Sequence, residues 1–193
     1  MNIDTITRKA PYRPKEREKV SIETFLEKYR KGAPGLKYEY NQGIIEQTET
    51  MKSKEQYIFH NIFSVFKTTE AFKQEANLVQ ELEVWTSDNQ WRKPDIAFIT
   101  LPQIRAAANG FEPVPEFMIE VISKNDKINE VKNKVKEYFE AGVKVLWHIF
   151  PNLEQVEVYR VFRKSETFVG DEICSADPVI KAFGMSVNDI LKK

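Results

Sequence analysis

Apolar residues along the chain recur with two periods, about 3.6 and 2 residues, and the switches between them mark out helices and strands. A first helix is expected from Ser21, an N-cap residue, with Ile22, Phe25, Leu26 and Tyr29 on one face and Gly32 at its end. The next stretch, LKYEYNQGIIEQ, reads as two extended runs around the turn-forming Asn41-Gln42-Gly43, a hairpin. A second helix follows in SKEQYIFHNIFSVFKTTEAF. There Ser53 and Gln56 have capping-box spacing, and Ile58, Phe59, Ile62, Phe63 and Phe66 form a wide apolar face. ANLVQELEVWT and QWRKPDIAFI form two strand-like runs separated by Ser87-Asp88-Asn89, a second hairpin. A loop holding Pro102, Gly110, Pro113 and Pro115 leads to EFMIEVIS, whose apolar run suits the middle of a sheet. Then come a helix over DKINEVKNKVKEYFEAG, capped at Asn125 or Asp126 and stopped by Gly142, and the closing strands VKVLWHIF and QVEVYRVF.

A strand, a helix and another strand in succession imply a right-handed parallel crossover, so the pattern predicts an α/β fold with a mixed central sheet flanked by helices. Residues 1–19 are polar, carry Pro11 and Pro14 and show no apolar periodicity, so they read as an N-terminal arm. Residues 20–193 are expected to form a single domain, long enough to bury a substantial core. The sequence has no internal repeat.

Composition narrows the function classes. Of 193 residues 41% are hydrophobic and 30% charged, and no stretch approaches the roughly 18 consecutive apolar residues of a membrane span. The first residues lack the apolar segment of a secretory signal, so a cytoplasmic location is expected. The one cysteine, Cys174, allows no intrachain disulfide and no cysteine-rich zinc site, and reads as a small half-buried apolar residue. The 29 basic and 29 acidic residues balance. Any nucleic acid would therefore be held by a local patch, and lysine and arginine concentrate at 8–19 and 124–136, where a solvated surface is the plainer reading.

Phosphate-cradling glycine loops, nucleophile elbows and zinc-binding helices are absent from the sequence. His60 and His148 read as structural residues, and Trp85, Trp91 and Trp147 as core. The carboxylates remain. Asp95 in KPDIAFI and Glu120 in FMIEVI are acids within apolar strand sequence, where an unpaired charge is costly and a cation or a base is needed. If their strands are neighbours, the two acids converge on one divalent ion, and oxygen donors without histidine or cysteine suit Mg²⁺ or Mn²⁺. The competing reading pairs each acid with a surface lysine at a strand edge. Alternation also places Ile122 beside Glu120 and turns Val121 to the opposite face.

Three segments, RKPDIAFI, PVPEFMIEVIS and KVKEYFEAGVKVLWHIFP, together resemble the PD-(D/E)xK or restriction-endonuclease-like superfamily of nucleases. More narrowly they resemble the bacterial restriction-endonuclease family also catalogued as domain of unknown function 820, the Uma family. The likeness runs from KYEYNQGIIE at position 37 to the tail FVGDEI…VNDIL. It implies a restriction-endonuclease-like core with an added N-terminal helix and hairpin, and a metal held by Asp95 and Glu120. The superfamily lysine normally stands two residues after the second acid, where this chain has Ile122. In the narrower family it moves to the following helix, onto Lys134. Helical phase permits this: Lys134 borders the stripe of Ile128, Val131, Val135 and Tyr138, whereas Lys136 points away. An exposed lysine in a lysine-rich helix is the alternative. The superfamily also often carries a metal-holding glutamate on its first core helix, which maps onto Glu55, although relatives of this family often have histidine there. A first-turn glutamate favoured by the helix dipole explains Glu55 equally well.

What the resemblance implies is a Mg²⁺-dependent endodeoxyribonuclease, with Mn²⁺ able to substitute and with 5′-phosphate and 3′-hydroxyl products. Its site would comprise Asp95, Glu120, Lys134 and Glu55, with the Val121 carbonyl as a further metal ligand. DNA would be the partner, and a homodimer would supply two sites for two strands. The alternative is a nuclease-fold module that has lost turnover and binds nucleic acid or a protein partner.

Overall fold

A computed structural model describes residues 19–34, 36–51 and 55–193. Helix α1 (Ile22–Lys28) starts where Ser21 accepts a hydrogen bond from the Thr24 amide, as the cap pattern predicts. Strands β1 (Leu36–Asn41) and β2 (Ile44–Glu49) form the expected hairpin. Gln42 and Gly43 between them both have positive φ, which a two-residue type I′ turn requires. Helix α2 (Gln56–Phe66) buries Ile58, Ile62 and Phe66. Ser53, the expected cap, lies outside the described residues, as do the arm and most of the basic cluster at 8–19.

The central expectation of two long paired strands is corrected in detail. After the short helix α3 (Glu70–Lys73), the first run breaks into β3 (Asn77–Gln80) and β4 (Val84–Ser87), and the second into β5 (Gln90–Arg92) and β6 (Ile96–Ile99). The outer pair β3 and β6 joins one sheet while the inner hairpin β4–β5 joins another. The break follows from Glu81, whose φ of 51° turns the chain while its amide donates to the Asp95 carbonyl. No glycine marks that turn, so alternation carried straight through it. The expected loop after β6 is partly a helix, α4 (Leu101–Ala108). Pro102 sits in its first turn, where a missing N–H costs nothing, and Thr100 and Gln103 form a capping box.

Strand β7 (Phe117–Val121), helix α5 (Ile128–Ala141) and β8 (Val145–Phe150) form the expected parallel crossover. Lys127 takes the N-cap position of α5 in place of Asn125 or Asp126, because Asp126 instead accepts from the Ser123 amide in the preceding turn. Gly142, with φ of 113°, ends the helix as expected. The chain continues beyond the expected closing strands. After β9 (Gln155–Val161) come β10 (Lys164–Val169), β11 (Ile173–Ser175), β12 (Gly184–Ser186) and α6 (Val187–Leu191).

Two sheets result. The larger has the order β10-β9-β8-β7-β6-β3 and is antiparallel except for β7 beside β8, a mixed sheet. One of its faces packs Phe117, Ile119 and Trp147 against α2, α6 and Phe183 in the principal core. Cys174 is fully buried there, further in than expected, and burial pushes its thiol up to about 12. The opposite face packs Met118 and Leu146 against Val135 and Tyr138 of α5. Ile128, expected in that stripe, is largely exposed because it opens the helix. The smaller sheet, β2-β1-β5-β4, turns Tyr40 and Trp91 toward Phe25 of α1. Alternation then directs Lys37, Glu39 and Arg92 the other way, and they are buried all the same.

Candidate functional site

Asp95 and Glu120 come from adjoining antiparallel strands. The last ladder pair of β6 and β7 is Ile96 opposite Ile119, so the next step of the register sets Asp95 opposite Glu120. Both acids are buried, and both line one recess of about 60 Å³ with Ile122, Lys37, Thr48, Lys134 and His148. The sheet supplies the acids and the elements above it supply the bases.

Each acid already has partners. Asp95 Oδ2 accepts from the Val121 amide at 2.7 Å, and Oδ1 accepts from Lys37 Nζ at 2.7 Å. Glu120 Oε1 accepts from the Tyr138 hydroxyl at 2.6 Å, and Lys134 Nζ stands 3.7 Å away. Burial raises the Glu120 carboxyl above its ordinary range. Asp95 and Glu39 add to this, and Lys134 and Lys37 oppose it. The Tyr138 hydroxyl is also raised, by burial and the neighbouring Glu120 and Glu39, so it serves as a neutral donor. Lys134 thus stands beside Glu120, while Lys136 pairs with Glu140 on the surface.

Sequence reasoning missed the groups that organise this recess. Lys134 Nζ lies nearer to Glu39 Oε2, at 2.6 Å, than to Glu120. Glu39 faces Glu46 across the β1–β2 ladder, a like-charge pair that would repel without help. Arg92 provides it. The guanidinium reaches Glu39 at 3.2 Å and Glu46 at 2.5 Å through one nitrogen, and grips Glu137 of α5 through the other two, at 2.8 and 2.5 Å. Thr86 also donates to Glu137, and the Lys93 amide to Glu39. Burial opposes ionisation of Glu39, yet Lys134, Arg92 and Lys37 outweigh it and hold its carboxyl well below the ordinary range. Lys37 balances the same way: burial lowers its pKa, but Asp95, Glu120 and Glu39 raise it above the usual lysine value. Within this connected group five carboxylates (Glu39, Glu46, Asp95, Glu120, Glu137) face three cations (Lys37, Arg92, Lys134). Fully ionised, the cluster carries two surplus negative charges in a low-dielectric setting.

His148 stands beside Glu120 in the parallel register of β7 and β8. Its Nε2 is buried and has no hydrogen-bond partner among the described residues, and burial, helped by Lys134, lowers its pKa to about 3. Glu55 is placed differently. It lines a smaller recess with Thr50, Met51, Ser123, Asp126, Asp95 and Val121, and Glu120 is not among that recess's walls. Asp95, Val121 and Asp126 thus border both recesses. Among the described residues no three carboxylates, histidines or cysteines are gathered as a ready-made metal cluster.

The chemistry of the donors nonetheless fits a hard dication. Two carboxylates from neighbouring strands border one small recess, and the surplus of two negative charges is what such an ion neutralises. Asp95, Glu120 and the Val121 carbonyl are the groups able to hold it from this side.

A family model described as "Putative restriction endonuclease", Uma2, matches residues 22–188. The chain belongs to the Uma2 family. No curated protein matches this Uma2 chain. Among solved structures, the crystal structure of a "putative nuclease belonging to DUF820" from Anabaena variabilis is 22% identical with a TM-score of 0.75. The match covers 89% of the Uma2 chain and 97% of the other. At that identity the likeness establishes the restriction-endonuclease-like fold. No described helix of the Uma2 chain is long and apolar enough to cross a membrane.

Proposed function

We propose that this recess is the active site of a divalent-metal-dependent DNA endonuclease. The observation that carries the reading is the meeting of Asp95, Glu120 and Lys134 in one recess, within an ion-pair cluster whose carboxylates outnumber its cations by two. Asp95, Glu120 and the Val121 carbonyl would hold Mg²⁺ or Mn²⁺, and Glu55 would reach the ion from the neighbouring recess that shares Asp95. When bound, the ion supplies a water of lowered pKa and a Lewis-acid contact to the scissile phosphodiester.

The protein groups do the rest. Lys134, fixed by Glu39, orients the attacking water and offsets negative charge that grows on the phosphoryl oxygens. The water oxygen bonds to phosphorus, the bond to the 3′ oxygen breaks, and a proton goes to that oxygen, leaving 5′-phosphate and 3′-hydroxyl ends. Tyr138 holds the Glu120 carboxylate in place by a neutral hydrogen bond. Cutting both strands of a duplex is simplest for two copies of the chain acting together.

The test is plasmid cleavage with Mg²⁺, Mn²⁺ or EDTA, comparing the wild type with Asp95→Ala and Lys134→Ala. Metal-dependent nicking that both substitutions abolish is expected, and equal cleavage by all three proteins defeats the proposal. One observation favours a second reading, a module that binds without turnover: both oxygens of Asp95 already have partners. That reading predicts DNA binding indifferent to divalent ions.

A further inference from the structure

Two lysines enter the recess, and they are anchored differently. Lys134 comes from the α5 side and makes its closest contact, 2.6 Å, with Glu39, a residue outside the pair of acids that faces the ion. An arriving cation leaves that anchor intact. Lys37 comes from β1, in the other sheet, and among the described residues its one carboxylate partner within ion-pair distance is Asp95 itself. Its ammonium is buried, 2.7 Å from Asp95 Oδ1 and 2.7 Å from the Lys93 carbonyl oxygen.

The remaining Asp95 oxygen is committed to the Val121 amide, a backbone group that cannot move away without breaking the β7 edge. Each carboxylate oxygen has two acceptor sites, so a dication can dock at either oxygen of Asp95, and at either one it stands a few ångströms from the Lys37 ammonium. Two cations on one buried carboxylate repel strongly, since water screens them poorly there. Lys37 has somewhere to go. Its second anchor, the Lys93 carbonyl, does not depend on Asp95, and a four-carbon stem lets the ammonium pivot on that carbonyl without moving the backbone.

We propose that Lys37 is a built-in competitor for the metal, an exchangeable counter-cation that holds Asp95 when no ion is bound and must yield when one docks. The inference rests on the reading above that Asp95 is a metal ligand. It adds a regulatory consequence: the site loads only above a threshold of free divalent ion, while Asp95 stays oriented and compensated below it. Lys134 has a lesser part, because its shortest contact is with Glu39, which does not face the ion, and it stands farther off, at 3.7 Å, from Glu120.

Calorimetric titration with MnCl₂ tests this without reference to cleavage. The proteins compared are the wild type, Lys37→Met, Lys37→Arg, Asp95→Asn and Lys134→Met. Lys37→Met is expected to bind Mn²⁺ at least about tenfold more tightly than wild type, because the competing charge is gone. Lys37→Arg keeps the competitor and should show no such gain, and Lys134→Met should not reproduce it. An unchanged or weakened affinity in Lys37→Met overturns the exchange. If wild type binds and Asp95→Asn does not, that failure leaves the metal site standing. Binding to neither wild type nor Lys37→Met overturns both readings. Should Lys37→Met prove unfolded alone, recovery of its far-ultraviolet circular dichroism on adding MnCl₂ supports the exchange, and no recovery overturns it.

Discussion

Glu39 of the β1–β2 hairpin and Lys134 of α5 meet at 2.6 Å, from elements almost a hundred positions apart in the chain, and that contact sets where the lysine ammonium stands relative to Glu120. Glu39→Gln keeps the shape and removes the charge. Lys134 then loses its anchor, and Mg²⁺-dependent cleavage is expected to slow by up to about a hundredfold, the cost of misplacing a catalytic group. Glu39→Gln should retain Mn²⁺ binding, which separates a positioning role from metal ligation. Cleavage at the wild-type rate by Glu39→Gln would show that Lys134 needs no such anchor.

Arg92 is almost wholly buried and holds three carboxylates from β1, β2 and α5. Replacing it with Met leaves Glu46 and Glu137 buried without a cation and Glu39 with Lys134 alone, so unfolding in urea should reveal a loss of about 3–5 kcal/mol. The loss should be greater than that from removing an exposed pair such as Lys136 and Glu140. A midpoint within error of wild type would contradict the role given to Arg92.

Tyr138→Phe removes one hydroxyl, 2.6 Å from Glu120. A buried carboxylate deprived of a donor is expected to cost about 1–3 kcal/mol of stability. Glu120 would also become harder to ionise, so Mn²⁺ affinity should drop most at the acid end of the range, as a pH series of titrations would show. An affinity unchanged across pH would mean that the hydroxyl merely fills space.

His148 should impose a pH dependence on stability. In the folded chain it stays neutral down to about 3, whereas an unfolded histidine takes up a proton near 6.5. Between those values the unfolded state binds the extra proton, so stability falls as pH is lowered through that window, and above it the residue has no effect. The groups around it are Lys134 on α5, Glu120 on β7, and Glu157 and Tyr159 on β9. His148→Phe should flatten the decline by about 1.4 kcal/mol per pH unit just below the histidine range, measured by urea unfolding. Parallel curves for the two proteins would place the proton elsewhere.

The acids of the candidate site were legible because charge is anomalous in apolar sequence: KPDIAFI and FMIEVI each contain a residue that burial penalises. Lys134 needed more, since helical phase put it beside the core and the resemblance chose it over its neighbours. Lys37, Glu39, Glu46 and Arg92 carried no such anomaly. In KYEY charged and aromatic residues alternate, which is also how a hairpin with one wet face reads. The wet face is in fact pressed against α5 and the larger sheet, and only tertiary structure reveals that. The fold was legible in the same measure. Periodicity gave the crossover and both flanking helices, but the turn at Glu81 has no glycine, and the capping box of α4 was hidden by the prolines around it.

The two-sheet origin of the recess gives the hairpin a standing that its peripheral position conceals. Lys37, Glu39 and Glu46 all belong to it, so a shortened chain starting after β2 would not simply lose an ornament. It would strand Arg92 and Lys134 with fewer acids, leave Asp95 without its ammonium, and open the polar pocket to bulk water. Attempts to trim this protein to the smallest piece that keeps the recess should therefore begin no later than β1.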